Sequence, residues 1–311
     1  MSCQNQTARD YAVYVGDVAL DEYYRTPRWP SVADKVEVET LEAIPGGMIA
    51  NAACVYAALG GQVKFCTVLR HSPITELLLK DLEQSGVDTS MTIYDDTLPD
   101  SKTMIFLCGG EHTIFIPTLH IDTIDFTPEQ FEVLRGAKYL YSTVGCLKCI
   151  TCQGKTWKEL APELRESGVK VVVDYDVDYE RDGDTSRFRN VDIGFFNETG
   201  FDSVRQGKSY EEAVRMLQDL GMQTVVVTLA ENGCEIHSGD ECFRLPARKT
   251  KVVDVTGAGD TFCSSFISVL DEMGPEQAGK FANTAASLCV SKLGARGGAV
   301  KKEEVLKLLW N

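Results

Sequence analysis

The feature that most constrains this chain is a series of short, almost continuous apolar runs: Tyr11 to Val15, Val63 to Leu69, Tyr139 to Ser142, Val169 to Val173, Val191 to Phe196 and Thr224 to Leu229. Runs of this kind, rich in Val and Ile, suit strands covered on both faces, as in a parallel sheet. Between them stand helical patterns at Met48 to Leu59, Ile74 to Gln84, Pro128 to Leu134, Thr156 to Glu166 and Tyr210 to Leu220. Strand and helix alternate, so the predicted architecture is α/β, a mostly parallel sheet layered with helices. After Gly257 the pattern turns helical to the end, with apolar stripes at Phe262, Phe266, Leu270 and Met273 and then at Phe281, Ala285 and Leu288.

Two segments leave the alternation, Val18 to Pro45 and Ser101 to Pro117. The second carries Thr103-Met104-Ile105-Phe106-Leu107 and Thr113-Ile114-Phe115-Ile116, which predicts a hairpin closing at Gly109-Gly110. Both depart from the main sheet and return to it. The expected organisation is a main α/β domain over 1–17, 46–100 and 118–311, with a small β-structured flap over 18–45 and 101–117.

With 311 residues, 44% of them hydrophobic, the chain can bury a substantial core without staples. Its 31 basic residues against 46 acidic ones leave a net charge of −15, which repels nucleic acid and anionic lipid. An anionic ligand must therefore be attracted by local devices such as helix N-termini, turn amides or a metal. Near Arg9 and Asp10 there is no apolar stretch of signal-peptide length, and no run is long enough to span a membrane. Eleven cysteines is an odd number in a chain too long to need a disulfide framework, so the expectation is reduced thiols in the cytoplasm. Among them, Cys146, Cys149 and Cys152 resemble part of an iron–sulfur run without its fourth ligand; the alternative is structural thiols at a strand-to-helix junction.

The chemistry concentrates where Val252-Val253 leads into Asp254-Val255-Thr256-Gly257-Ala258-Gly259-Asp260 and an amphipathic helix follows at once. A small-residue turn that opens a helix presents several N–H groups in one direction, and the helix dipole adds positive potential. Small side chains let a phosphoryl group approach those amides, and Asp260 sets a carboxylate beside them. Such a carboxylate can accept the proton of an attacking hydroxyl. A tight turn with an acid that merely favours the helix N-terminus is the plainer reading of the same residues. Three further features bear on the choice. Gly46-Gly47-Met48-Ile49-Ala50-Asn51 opens another helix, Asp17 stands at the carboxyl end of the first strand, and Thr228 to Gly233 and Asn197-Glu198 close two more strands.

Taken together and in this order, from Tyr11 to Val300, these landmarks resemble the ribokinase-like carbohydrate kinase family, also called PfkB. Asp254 to Thr261 is the most specific part of the likeness, and Gly46-Gly47, Asn51 and Gly60-Gly61 come next. The resemblance implies a three-layer ribokinase-like α/β fold with a β-sheet lid. It also implies ATP-dependent transfer of the γ-phosphate to a hydroxyl of a small sugar or sugar-like acceptor. Asp260 then matches the general base, and Gly257, Ala258 and Gly259 the anion hole. Asp17, Gly46, Gly47 and Asn51 match the positions that hold the acceptor's hydroxyls. Thr228 and Gly233 match the nucleotide-binding strand end, Asn197 a residue near the phosphates and Mg2+, and Asn283 a residue by the adenine. Asp254 matches a side chain that helps to bind a monovalent cation, usually K+. The flap matches a lid that covers the sugar and in some members makes a homodimer.

The chain departs from the family where the Asn-x-x-Glu motif reads Asn197-Glu198-Thr199-Gly200, since Gly200 supplies no carboxylate; Glu198 or a water would have to complete the magnesium shell. Ala230 also replaces a frequent glycine. A P-loop at Gly154-Lys155-Thr156 would need glycine at Cys149, and a dinucleotide fingerprint at Gly257 would need glycine at Phe262. The acceptor stays open. A phosphorylated sugar would use cations such as Arg25, Arg28, Lys35, Arg70, His71 or Lys102, and a nucleoside an aromatic platform such as Tyr14, Tyr23, Phe106 or Phe115. The preferred expectation is a neutral sugar or polyol. A non-catalytic ligand sensor is the competing class, motivated by Gly200 and separable by whether ADP is released.

Overall fold

The computed structural model describes residues 9–175 and 184–310. Its centre is an eight-stranded sheet. Strands Thr224–Thr228, Ile193–Asn197, Lys170–Asp174, Tyr139–Thr143, Tyr11–Val15 and Gln62–Cys66 lie side by side in that order, all parallel. At the Thr224 edge the antiparallel strands Cys234–Ser238 and Glu241–Leu245 complete it. Successive residues of a strand face opposite ways, and the two cores follow that period. Tyr14, Val172 and Val226 join helices Met48–Ala58, Pro73–Gln84, Ala258–Cys289 and Lys302–Leu309 on one face. Val13, Val173 and Val227 join Pro128–Gly136, Trp157–Glu166, Glu198–Arg205 and Tyr210–Asp219 on the other. Helix, sheet and helix thus make three layers. None of the helices among the described residues is long and apolar enough to cross a membrane.

A second sheet stands off the first, with strands Ala19–Arg25, Glu39–Thr40, Ile44–Gly46, Lys102–Cys108 and Glu111–Phe115. Cys108 pairs with Glu111 across the Gly109-Gly110 turn, where both glycines have positive φ, as a two-residue hairpin loop requires. The two excursions are joined by parallel pairing of Ala19–Arg25 with Lys102–Cys108.

Three expectations need correction. The run Val63 to Leu69 is two strands, because Val68–Leu69 turns away to pair with Ile93–Tyr94. The region after Gly257 is not helical to the end. A left-handed Gly274 (φ 73°) breaks the long helix, and a turn-rich segment from Val290 precedes Lys302–Leu309. The thiols of Cys146, Cys149 and Cys152 are not gathered as a ligand set among the described residues. Cys146 and Cys149 lie on a short helix, Val144–Cys149, while Cys152 is buried at the end of strand Ile150–Cys152. That geometry removes a single ion shared by the three thiols and fits structural thiols at a strand-to-helix junction.

One buried charge braces the amino-end edge of the sheet. Asp192 accepts Arg165 Nη2 at 2.8 Å and the Val171 amide at 2.8 Å, while its own carbonyl accepts the amides of Gln223 and Thr224. With Asp192 only 7% exposed at the side chain, its removal strands a guanidinium and an amide. Asp192→Ala is expected to cost about 2–3 kcal/mol in urea-induced unfolding; a loss below roughly 0.5 kcal/mol would mean that water replaces the carboxylate.

Candidate active site

In an open parallel sheet the crevice lies beyond the carboxyl ends of the strands, and the residues singled out by sequence collect there. The first strand ends at Val15, and after Gly16 comes Asp17 with its carboxylate on the N-terminus of helix Met48–Ala58: Oδ2 accepts the Met48 amide at 2.8 Å and Oδ1 the Ile49 amide at 3.2 Å. Gly47 makes that approach possible. It sits at φ 104°, and a Cβ there would meet Val18 Cα at 2.7 Å. Asp17 is open to the crevice, yet protein crowds its carboxyl. Burial pushes the acid up, against the pull of the Ile49 and Met48 amides.

One turn along, Asn51 joins this helix to the next part of the site. Its Nδ2 donates to Asp260 Oδ2 at 3.2 Å, and its Oδ1 accepts Arg296 Nε at 3.2 Å. Arg296 also pairs through Nη1 with Asp81, on helix Pro73–Gln84. Its Nη2 is buried without a partner among the described residues. Asp260 belongs to the first turn of helix Ala258–Cys289, which no side chain caps. Gly257, the residue before it, is left-handed at φ 77°, and a Cβ there would strike the Ala295 carbonyl at 2.0 Å. The first intrahelical bond is Thr261 N to Gly257 O, so the amides of Ala258, Gly259 and Asp260 precede the hydrogen-bonded ladder; that of Ala258 turns back to Val255 O. Asp254 locks the turn: Oδ1 accepts the Thr256 amide and hydroxyl, and Oδ2 accepts the Gly294 amide at 2.9 Å. Burial pushes the Asp254 acid up, but those amides outweigh it and hold it below the usual range.

A second group forms across the crevice. Asn197 and Thr228 end adjacent strands and are register partners, and Thr228 is in turn opposite Cys234. Gly233 (φ 97°) lies so close to the Leu245 carbonyl that a Cβ would come within 2.0 Å. Asn283, buried on the long helix, donates to Pro246 O at 3.2 Å. Asn197 caps helix Glu198–Arg205 by accepting the Gly200 amide at 2.7 Å. Glu198 is exposed in that helix's first turn.

Sequence reading missed Asp21, Arg296 and Asp81. Asp21 comes from the small sheet, and a Cβ on Gly46 would stand 2.1 Å from its Oδ2. The Gly46-Gly47 pair was the available signal, because paired glycines announce that something packs against the backbone. Burial raises Asp21 to about 6, with Asp17 adding to it, while Thr103 and Arg296 pull it down. Beside Asp17 opens a cavity of about 190 Å³, walled largely by Val18, Val68, Leu119, Ile121, Cys146 and Cys149.

Asp21 generates a pH prediction. Its folded acid titrates above its ordinary value, so stability falls as pH rises through the interval from about 4 to about 6 and the cost is fully felt above it. Asp21→Asn should therefore stabilise at pH 7.5 by about 1–2 kcal/mol after allowance for solvent screening, and by almost nothing at pH 4. Urea midpoints at both pH values check this; equal gains at both would remove the titration.

The family model described as pfkB family carbohydrate kinase matches residues 9–302. A ribokinase of Lactococcus lactis is 26% identical over 94% of this chain and 94% of its own length. The bifunctional protein HldE of Shewanella amazonensis is 27% identical over 95% of this chain, which spans only 62% of that longer protein. Among solved structures, Arabidopsis thaliana ribokinase complexed with ribose and ATP superposes with a TM-score of 0.83 at 24% identity, covering 97% of this chain and 99% of the other. The chain belongs to the pfkB family of carbohydrate kinases, phosphotransferases that act on a hydroxyl, and it has their ribokinase-like fold.

Proposed function

We propose that this chain transfers the γ-phosphate of ATP to a hydroxyl of a neutral sugar or polyol, with Asp260 as the general base. The observation that supports the reading is the 3.2 Å hydrogen bond from Asn51, on helix Met48–Ala58, to Asp260, a carboxylate in the first turn of a helix that no side chain caps. Asp17 and Asp21 accept hydrogen bonds from hydroxyls of the acceptor, and Asn51 orients it. The attacking hydroxyl gives its proton to Asp260, and the amides from Gly257 to Gly259 face the charge spread over the transferring phosphoryl. Thr228, Gly233 and Asn283 flank the nucleotide, and Asn197 lies toward its phosphates. The sheet over 18–45 and 101–117 acts as a lid that excludes water, which would otherwise take the phosphoryl group.

Two ions accompany this reading. Mg2+ would neutralise charge on bound ATP, and Glu198, exposed in the first turn of its helix, would be the acid that serves its water shell. A monovalent cation, K+ by the family resemblance, fits beside Asp254, whose Oδ2 accepts a single amide and keeps a lone pair. A neutral acceptor is favoured by the apolar cavity beside Asp17, whose lining has no Lys or Arg among the described residues. The exposed ring of Trp29 stacks at 6.3 Å on exposed Phe115 of the lid sheet, with Ile114 and Ile116 nearby, a face that a second copy could cover. A cytoplasmic setting agrees with the ten free thiols among the described residues.

The deciding measurement is ADP release from ATP and Mg2+ with pooled sugars, polyols, nucleosides and sugar phosphates, run with and without K+. Turnover is expected with a neutral sugar or polyol. Saturable ATP binding with no turnover on any acceptor would leave a ligand sensor instead. Asp260→Asn should keep ATP binding while turnover falls by roughly a hundredfold or more; near-normal turnover removes Asp260 as the base. For Glu198→Gln, the apparent Mg2+ requirement should rise several-fold, and an unchanged requirement would assign the shell to water.

A further inference from the structure

The edge hairpin has two unlike faces. Cys234, Ile236 and Leu245 are buried against the long helix, whereas Glu235, His237 and Cys242 occupy the opposite side. His237 stands directly across from Cys242 in the strand register, and Glu235 lies two residues before His237, so all three side chains leave the same face. One donor atom from each lies within 4.8 Å of the others. Nε2 of His237 is 2.8 Å from Glu235 Oε1 and 3.8 Å from Cys242 Sγ. Nothing in the phosphoryl-transfer crevice uses these groups.

We propose that Glu235, His237 and Cys242 form a binding site for a divalent ion of the zinc class that ties the two edge strands together. An imidazole nitrogen, a thiolate and a carboxylate are the donor types zinc takes, and three protein ligands leave a fourth position for water. Tetrahedral zinc with ordinary bond lengths sets such donors roughly 3.3–3.6 Å apart. The two separations from His237 Nε2, 2.8 and 3.8 Å, lie within about half an ångström of that, and the Glu235 and Cys242 donors, within 4.8 Å of each other, are brought to it by side-chain rotation. The side chains of His237 and Glu235 are 14% and 13% exposed, while Cys242 is open to solvent, so the site has a floor and a mouth. Tyr210 backs the imidazole with ring centroids 5.7 Å apart, and Arg244 engages Glu235 through Oε2, leaving Oε1 for the ion. On binding, Cys242 releases its thiol proton to solvent, the His237 proton that faces Glu235 from Nε2 passes through solvent to Nδ1 so that Nε2 can ligate, and no electron moves.

The test is anaerobic titration of the full chain with Co2+ in a non-thiol reductant. One equivalent should produce a thiolate-to-cobalt charge-transfer band that Zn2+ abolishes by displacement. Cys242→Ser should lose the band and His237→Gln should lose or weaken it, both with wild-type near-ultraviolet dichroism. Cys149→Ser should keep it. Zn2+ should also raise the Tm of the wild type and leave that of Cys242→Ser unchanged. Absence of the band in the wild type, or its survival in Cys242→Ser, overturns the site. Loss in Cys149→Ser alone would place the ion on other cysteines and overturn it as well.

Discussion

Everything in the crevice depends on one side-chain amide. Asn51 donates from Nδ2 to Asp260 and accepts from Arg296 at Oδ1, so a single planar group links two helices that come from distant parts of the chain. Only a side chain with both a donor and an acceptor on one short stem can do this. Aspartate at the same place would set two carboxylates against each other; leucine would leave the Arg296 nitrogen without its acceptor. The same two helices also meet below the crevice, where Ser264 Oγ donates to Ala52 O at 2.7 Å and touches the Tyr14 hydroxyl at 3.0 Å. That buried contact keeps Asn51 and Asp260 in register, and the charges around them balance in sequence: Asp81 against Arg296, with Asp21 feeling the same guanidinium.

Much of the fold was legible because its signals are local. An apolar run such as Thr224 to Leu229 carries its strand character within itself, and a turn such as Gly257 to Gly259 declares its backbone demand in composition. What stayed hidden is whatever long-range packing decides. The split at Thr67 between Cys66 and Val68 depends on a partner strand at Ile93–Tyr94, which no window around Val63 contains. Arg296 lies among glycines with no helical or strand period, and only the folded chain sets it against Asn51 and Asp81. Asp21 was concealed for a related reason: it stands on a strand of half-exposed residues whose pattern reads as surface.

The departure at Gly200 has a visible steric setting. A Cβ there would sit 3.1 Å from the Tyr175 carbonyl and 3.2 Å from Asn197 Oδ1. A larger side chain at this place would have to shift one neighbour or the other, and Asn197 is already committed to capping the helix. Gly200 therefore stands at a close junction between Tyr175, just past one strand, and Asn197, at the end of another. The exposed acids of this helix are Glu198 and Asp202.

The parallel pairing of Ala19–Arg25 with Lys102–Cys108 bears on the order in which the molecule assembles. Parallel neighbours cannot be closed by a tight turn, so these two strands meet only after the intervening chain has crossed through the main sheet, by way of Gln62–Cys66 and helix Pro73–Gln84. The pairing of these two strands is thus tied to the placement of that intervening chain. By the same dependence, the amides of the small sheet should exchange with solvent well before those of the central strands, through openings that leave the main core intact.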